Sequence, residues 1–171
     1  MATRASTVRA LVAMTLTFAL ALVPSRLAAQ DSGIDVGVKA PGAAVETLDG
    51  QPAELSSVFG KGPVLIEFWA TWCPNCKELE PAMLAAQKKY AGKVTFVGLS
   101  VSANQSPRAV QAYIEKHALQ MTQFYDRRGK AVGAYDVPAT SFVVVVNKAG
   151  QVVYTGLGGK QDLDAAIKKG L

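Results

Sequence analysis

The chain has two cysteines, Cys73 and Cys76, separated by Pro74 and Asn75. Two thiols at this spacing can close a short disulfide, share a metal with further ligands, or trade disulfides with another molecule. Just before them a carboxylate, Glu67, interrupts the apolar run Val64-Leu65-Ile66-Glu67-Phe68-Trp69. A carboxylate inside a buried strand is costly, so Glu67 needs a reason as much as the cysteines do.

The elements around the pair narrow its chemistry. Residues 63–69 are rich in strand formers. Residues 74–90 read as a helix, with Leu79, Met83, Leu84 and Gln87 near helical spacing and Gly92 as a stop. Cys73 then falls at the N-cap, and Pro74 at the first helical position, where its missing N–H costs nothing. A thiolate at Cys73 faces free backbone N–H groups and the positive end of the helix dipole, which lowers its pKa. Cys76 lies one turn on, in reach of a mixed disulfide on Cys73. In this reading Cys73 is the nucleophile and Cys76 the resolving thiol.

Other readings of the pair stay open at this level. A structural disulfide here closes almost no loop and stabilises little. A zinc site wants four ligands, and two cysteines with a distant His117 fall short, so no metal is expected. Haem attachment wants a histidine after the second cysteine, where Lys77 stands. His117 itself falls at a polar helix end and reads as solvated.

Length and charge set the frame. The 171 residues suffice for one domain with a core, and half of them are apolar. Residues 1–29 stand apart. Arg4 and Arg9 precede an uncharged, mostly apolar run at 10–23, and Leu27-Ala28-Ala29 offers a small-residue exit. This is the pattern of a secretory signal peptide cut near Ala29 and Gln30. The run is shorter than the roughly 20 residues of a spanning helix; an uncleaved anchor is the alternative. Arg4, Arg9 and Arg26 leave with this segment, and the remainder holds 15 basic and 13 acidic residues, a net charge of +2. No basic cluster with interleaved aromatics points to nucleic acid. Export places the cysteines in an oxidising compartment, periplasmic or otherwise outside the cytosol.

Further along, residues 30–37 read as a flexible lead-in and 38–171 as the folded domain. Asp49-Gly50 marks a hairpin within 43–54. A short helix is expected at 55–59, a strand at 94–99, and a helix opened by Ser106 and Pro107, with Val110, Tyr113, Ile114 and Leu119 on one side. A short strand at 123–125, a short helix at 128–135, strands at 141–146 and 151–155 and a final helix from 162 to 169 follow. The order alternates strands and helices, then ends in an antiparallel pair. The apolar strands imply burial on both faces.

The stretch Phe68-Trp69-Ala70-Thr71-Trp72-Cys73-Pro74-Asn75-Cys76-Lys77, followed by Pro81, resembles the active-site segment of the thioredoxin superfamily. The early hairpin, the helix-bearing insert at 106–135 and Val137-Pro138-Ala139-Thr140 are similar to the exported TlpA/ResA type of thiol–disulfide oxidoreductase. The resemblance implies an α/β, thioredoxin-like fold: three layers, α/β/α, with a mixed central sheet and an N-terminal β-hairpin extension. It places Glu67 where thioredoxins carry a buried carboxylate that takes the proton of the resolving thiol, here Cys76. An edge position in solvent or a lysine partner is the alternative for Glu67. It makes Pro138 a cis-proline, with Val137 beside it, on a loop facing the cysteines. Trp72, Pro74, Asn75, Val137 and Pro138 are then the substrate-contacting set, and Trp69 is packing. Pro81 is expected to kink the helix.

The implied activity is disulfide exchange with exported protein thiols and disulfides, without a cofactor beyond the Cys73–Cys76 disulfide. The direction expected is reduction, by a monomer supplied with electrons from a membrane thiol reductant. One departure bears on this: Pro74-Asn75 is neither the dipeptide of cytochrome-maturation reductases nor that of cytosolic thioredoxin. Rival readings are an oxidant or isomerase on the same fold, a peroxidase, and a binding protein that keeps the disulfide as a staple. Residues 67–72 do not supply the Pro-x-x-x-Thr-x-x-Cys loop of a peroxiredoxin.

Overall fold

The computed structural model describes residues 33–171. The expected signal peptide at 1–29 and the first residues of the lead-in lie outside them. Seven strands form one sheet: β1 Ala44–Glu46, β2 Pro52–Glu54, β3 Val64–Trp69, β4 Thr95–Val101, β5 Thr122–Asp126, β6 Phe142–Val146 and β7 Val152–Leu157. Four α-helices accompany them: α1 Pro74–Lys89, α2 Pro107–His117, α3 Lys130–Ala134 and α4 Leu163–Lys168. A 3-10 turn spans Leu55–Val58.

The sheet order is β2-β1-β5-β4-β3-β6-β7. β3 pairs in parallel with β4 and antiparallel with β6, and β4 pairs in parallel with β5. The sheet is therefore mixed, and the fold is the expected thioredoxin-like one. The segment at 106–135 contributes a strand as well as helices. Through β5 it joins the N-terminal hairpin to the sheet, by the pairing of Glu46 with Tyr125.

All six residues of β3 are buried, because the strand is central and covered on both sides. On one face Val64, Ile66 and Phe68 pack with Val97, Leu99, Phe142, Val144 and Tyr135. On the other, Leu65 packs against Leu79 and Met83 of α1 and against Ile167 of α4. Trp69, further along that face, lies with Cys73, Cys76 and Val110 of α2.

The lead-in departs from expectation. The N–H of Ile34 donates to the carbonyl of Tyr135, that of Gly37 to Val152, and Lys39 bridges to Gln151. Gly33 sits against the Phe142 ring so closely that a Cβ there would come within 2.5 Å of it. Residues 33–39 are thus fastened over the sheet. Their polar composition suggested freedom because their partners lie more than a hundred residues away, where no local pattern reveals them.

Candidate active site

Cys73 ends the loop that leaves β3, and its extended backbone (φ −81°, ψ 114°) makes it the N-cap of α1. Its Sγ accepts the N–H of Cys76 at 3.0 Å. The two sulfurs are joined in a disulfide, with Cα atoms 5.3 Å apart. The loop is held from the α2 side. The N–H of Thr71 donates to Oε1 of Gln105 at 2.9 Å, and Nε1 of Trp72 donates to the carbonyl of Ala103 at 2.8 Å. Both cysteines are nearly covered, Cys73 at 1 % and Cys76 at 8 % exposure. N-cap geometry, not exposure, therefore distinguishes the two sulfurs.

Trp72 is 45 % exposed, and Pro74 and Asn75 stand on the surface beside it. A cleft of about 330 Å³ runs from Trp72 past Val101 and Val132 to Val137, Ala139 and Thr140. This cleft is the open, mostly apolar ground next to the cysteine loop. Val137 lines it, whereas Pro138 faces solvent.

The expected cis bond before Pro138 is corrected here: no cis peptide occurs among the described residues. The chain reverses by other means. Asp136 and Ser141 take left-handed backbone angles (φ 45° and 66°) on either side of the loop. The N–H of Ser141 then donates to the carbonyl of Phe68 at 2.8 Å, tying the loop to the end of β3. With the turn made at these two residues, Val137 and Pro138 keep the trans arrangement that X–Pro bonds ordinarily prefer.

Glu67 lies beneath the pair, on the Leu65 and Trp69 face of β3. It is 5 % exposed, and its Oε1 finds no hydrogen-bond partner. The edge position and the lysine partner both fall away. It opens on a small cavity of about 10 Å³, shared with Cys76, Trp69, Glu80 and Tyr113. Burial raises the Glu67 pKa from 4.5 to about 8, with the charge of Glu80 adding to the rise. The carboxyl therefore stays largely protonated at neutral pH and titrates where a thiol does. Its ionised form, the minority at neutral pH, faces Cys76 through the cavity and is chemically able to accept that thiol's proton.

Three neighbours were not singled out as site residues from sequence. Glu80 stands four residues after Cys76, one helical turn along the same face. Its Oε1 lies 3.0 Å from Nδ1 of His117, and its Oε2 accepts the hydroxyl of Tyr113 at 3.3 Å. Tyr113 stacks on the His117 ring at 3.9 Å and tilts against Trp69 at 5.5 Å. Burial, then Glu80, push the Tyr113 hydroxyl up to about 12. His117, expected to be solvated, is instead half-buried and paired. The helical spacing of Cys76 and Glu80 was the signal for Glu80. Nothing local marks His117, because its contact crosses between two helices.

A redox-active cysteine pair at the N-terminus of a helix, on a thioredoxin-like sheet, defines a thiol–disulfide oxidoreductase. Comparison with known proteins agrees. Residues 35–168 match the Redoxin family, and the chain belongs to it. The thioredoxin-like protein YneN of Bacillus subtilis is 31 % identical over 141 residues, covering 81 % of this chain and 82 % of that one. Thiol-disulfide oxidoreductase ResA of Bacillus anthracis is 30 % identical over 138 residues, covering 80 % and 79 %. Among solved structures, a putative thiol:disulfide interchange protein DsbE from Chlorobium tepidum superposes with a TM-score of 0.67 at 25 % identity. That match covers 80 % of this chain and 94 % of the other.

Proposed function

We propose that this oxidoreductase works as an exported reductase of protein disulfides. In each turnover the Cys73 thiolate attacks a substrate disulfide and releases one substrate thiol. Cys76 then gives its proton to Glu67 and attacks Cys73 of the mixed disulfide. The second substrate thiol leaves, and the protein ends with the Cys73–Cys76 disulfide. Two electrons pass to the substrate, and a membrane thiol reductant restores the dithiol.

The observation that carries the reading is Glu67, buried under Cys76 with its Oε1 unpartnered. A proton acceptor for the resolving thiol speeds the step that ends substrate reduction. The setting of Cys73 makes it the attacking thiolate: at the N-cap of α1 its sulfur accepts the backbone N–H of Cys76. The electrons need no carrier beyond the cysteine pair. Trp72 and Val137, lining the cleft beside the pair, receive the substrate chain, with Pro74 and Asn75 at its rim. Residues 1–29 support export, and N-terminal sequencing of the protein recovered from cells tests that part.

The equilibrium reduction potential of the pair tests the direction. A value of about −270 mV or lower supports a reductase, and one of about −120 to −180 mV turns the reading to an oxidant or isomerase. No helix among the described residues is long and apolar enough to cross a membrane.

A further inference from the structure

Glu67 is 5 % exposed, and its Oε1 is buried away from water without a hydrogen-bond partner. A proton taken from Cys76 must leave it before the next turnover, and in the reverse reaction one must return. Its side chain borders Trp69, Cys76, Met83 and the cavity they share. The far wall of that cavity includes Glu80 and Tyr113. At about 10 Å³ the cavity is the size of one water molecule. Among its lining residues, Glu67, Glu80 and Tyr113 have polar groups to offer such a water.

Beyond Glu80 the path continues. Nδ1 of His117 lies 3.0 Å from Glu80 Oε1, and their side chains are 27 % and 19 % exposed. The contact serves transfer in either direction: Nδ1–H donates to the ionised Glu80, and Nδ1 of the Nε2–H tautomer accepts from the protonated Glu80. Imidazole is the side chain best suited to trade protons with water near neutral pH. The stacked Tyr113 ring holds it in place, and Tyr113 also donates to the other Glu80 oxygen. The carboxylate is thus fixed between the buried acid and the surface imidazole.

We propose that Glu80 and His117 form the proton exit of Glu67, linking the acid beneath the cysteines to solvent. The inference rests on the reading of Glu67 as the acceptor for Cys76. The step balances as a proton transfer. Cys76 loses a proton as its sulfur bonds to Cys73, Glu67 holds it, Glu80 passes it to His117, and His117 releases it to water. Glu80 and His117 touch neither substrate nor the reacting sulfurs; they act through Glu67. The titratable groups facing Glu67 are Cys76 and Glu80 from α1 and Tyr113 from α2. Those facing His117 are Glu80 and, across the adjoining cleft, Lys88, with Tyr113 on its own helix.

The test follows the second thiol released when the reduced full-length protein reacts with dithionitrobenzoate. That release is the attack of Cys76 on the mixed disulfide. It is measured from pH 6 to 10 in the native protein, E67Q, E80Q, H117Q and H117A, with folding of each checked by thermal melting. H117A and H117Q are expected to slow this step by about tenfold on the acid side of the profile. Free imidazole in the buffer is expected to restore most of the rate to H117A. E80Q removes the like charge beside Glu67, so the midpoint of the profile should move to lower pH by about half a unit or more. A structural role for His117 predicts no rescue by imidazole, and that result overturns the proposal. Native rates and midpoint in E80Q and H117A, beside an altered profile in E67Q, also overturn it while leaving Glu67 as the acceptor. A native profile in E67Q removes both.

Discussion

The two faces of β3 carry the same kind of strand and are built to opposite ends. Side chains alternate across a strand, so Val64, Ile66 and Phe68 face one way and Leu65, Glu67 and Trp69 the other. On the first face the neighbours are apolar, and the one large polar group is satisfied: the Tyr135 hydroxyl donates to the carbonyl of Pro41 at 2.9 Å. On the second, Glu67 Oε1 and Trp69 Nε1 are buried without partners. Unpaired buried polar atoms are rare because each costs free energy. Within β3 both such atoms lie on the face under the cysteines and neither on the other, so the first face is satisfied while the second carries the unpaired groups.

The largest effect separating the faces should come from Glu67→Gln. In the folded oxidised protein the Glu67 pKa is raised from 4.5 to about 8. Below pH 4.5 the acid is protonated in both folded and unfolded chains, and its burial costs nothing extra. As pH rises, the unfolded chain ionises first, so folding stability falls until the folded pKa is passed. The loss amounts to about 5 kcal/mol as an upper limit. Denaturant unfolding of the oxidised protein at pH 5 and pH 9 should show this drop, and E67Q should abolish most of it. The same variant should slow resolution of the mixed disulfide by about a hundredfold at its optimum. Equal pH dependence of stability in both proteins would mean that Glu67 is not the buried acid the geometry describes.

Next in size is Phe68→Ala, one residue along and on the opposite face. Phe68 is fully buried against Tyr135 and Phe142, with ring centroids 5.4 and 6.1 Å away. Truncation should cost about 3–5 kcal/mol and leave the reduction potential of the cysteine pair where it was. A shifted potential would show that the two faces are coupled. Smallest is Tyr135→Phe, which leaves the Pro41 carbonyl without that donor. It should cost about 1 kcal/mol by denaturant titration, with the rate of disulfide exchange unchanged. A neutral result would remove the satisfied hydroxyl as a mark of the stabilising face.

Much of the site was legible because its signals are local. The N-cap position of Cys73 follows from a strand, a Cys-Pro junction and a helix, all within a few residues. Ser106 capping α2 follows in the same way, and the structure has its Oγ accepting the N–H of Ala109 at 3.3 Å. Glu67 was conspicuous because one charge stood in an apolar run. Pro138 misled, since a proline in a loop does not say whether the reversal is made at its own bond or at Asp136 and Ser141. His117 misled for a related reason. A helix end looks solvated until another helix is known to lie beside it.

By itself, then, the sequence determined the elements, the cysteine pair at the head of a helix and the one carboxylate in the strand before it. These depend on periodicity, caps and turns, which act over a few residues. Tertiary structure decided what could not be local. It set Glu67, Cys76 and Glu80 around one small cavity, brought His117 of α2 against Glu80 of α1, and bound residues 33–39 across the sheet. The physical reason is that a shifted pKa, a proton path and a buried unpaired atom are properties of surroundings. Those surroundings are assembled only when distant segments pack.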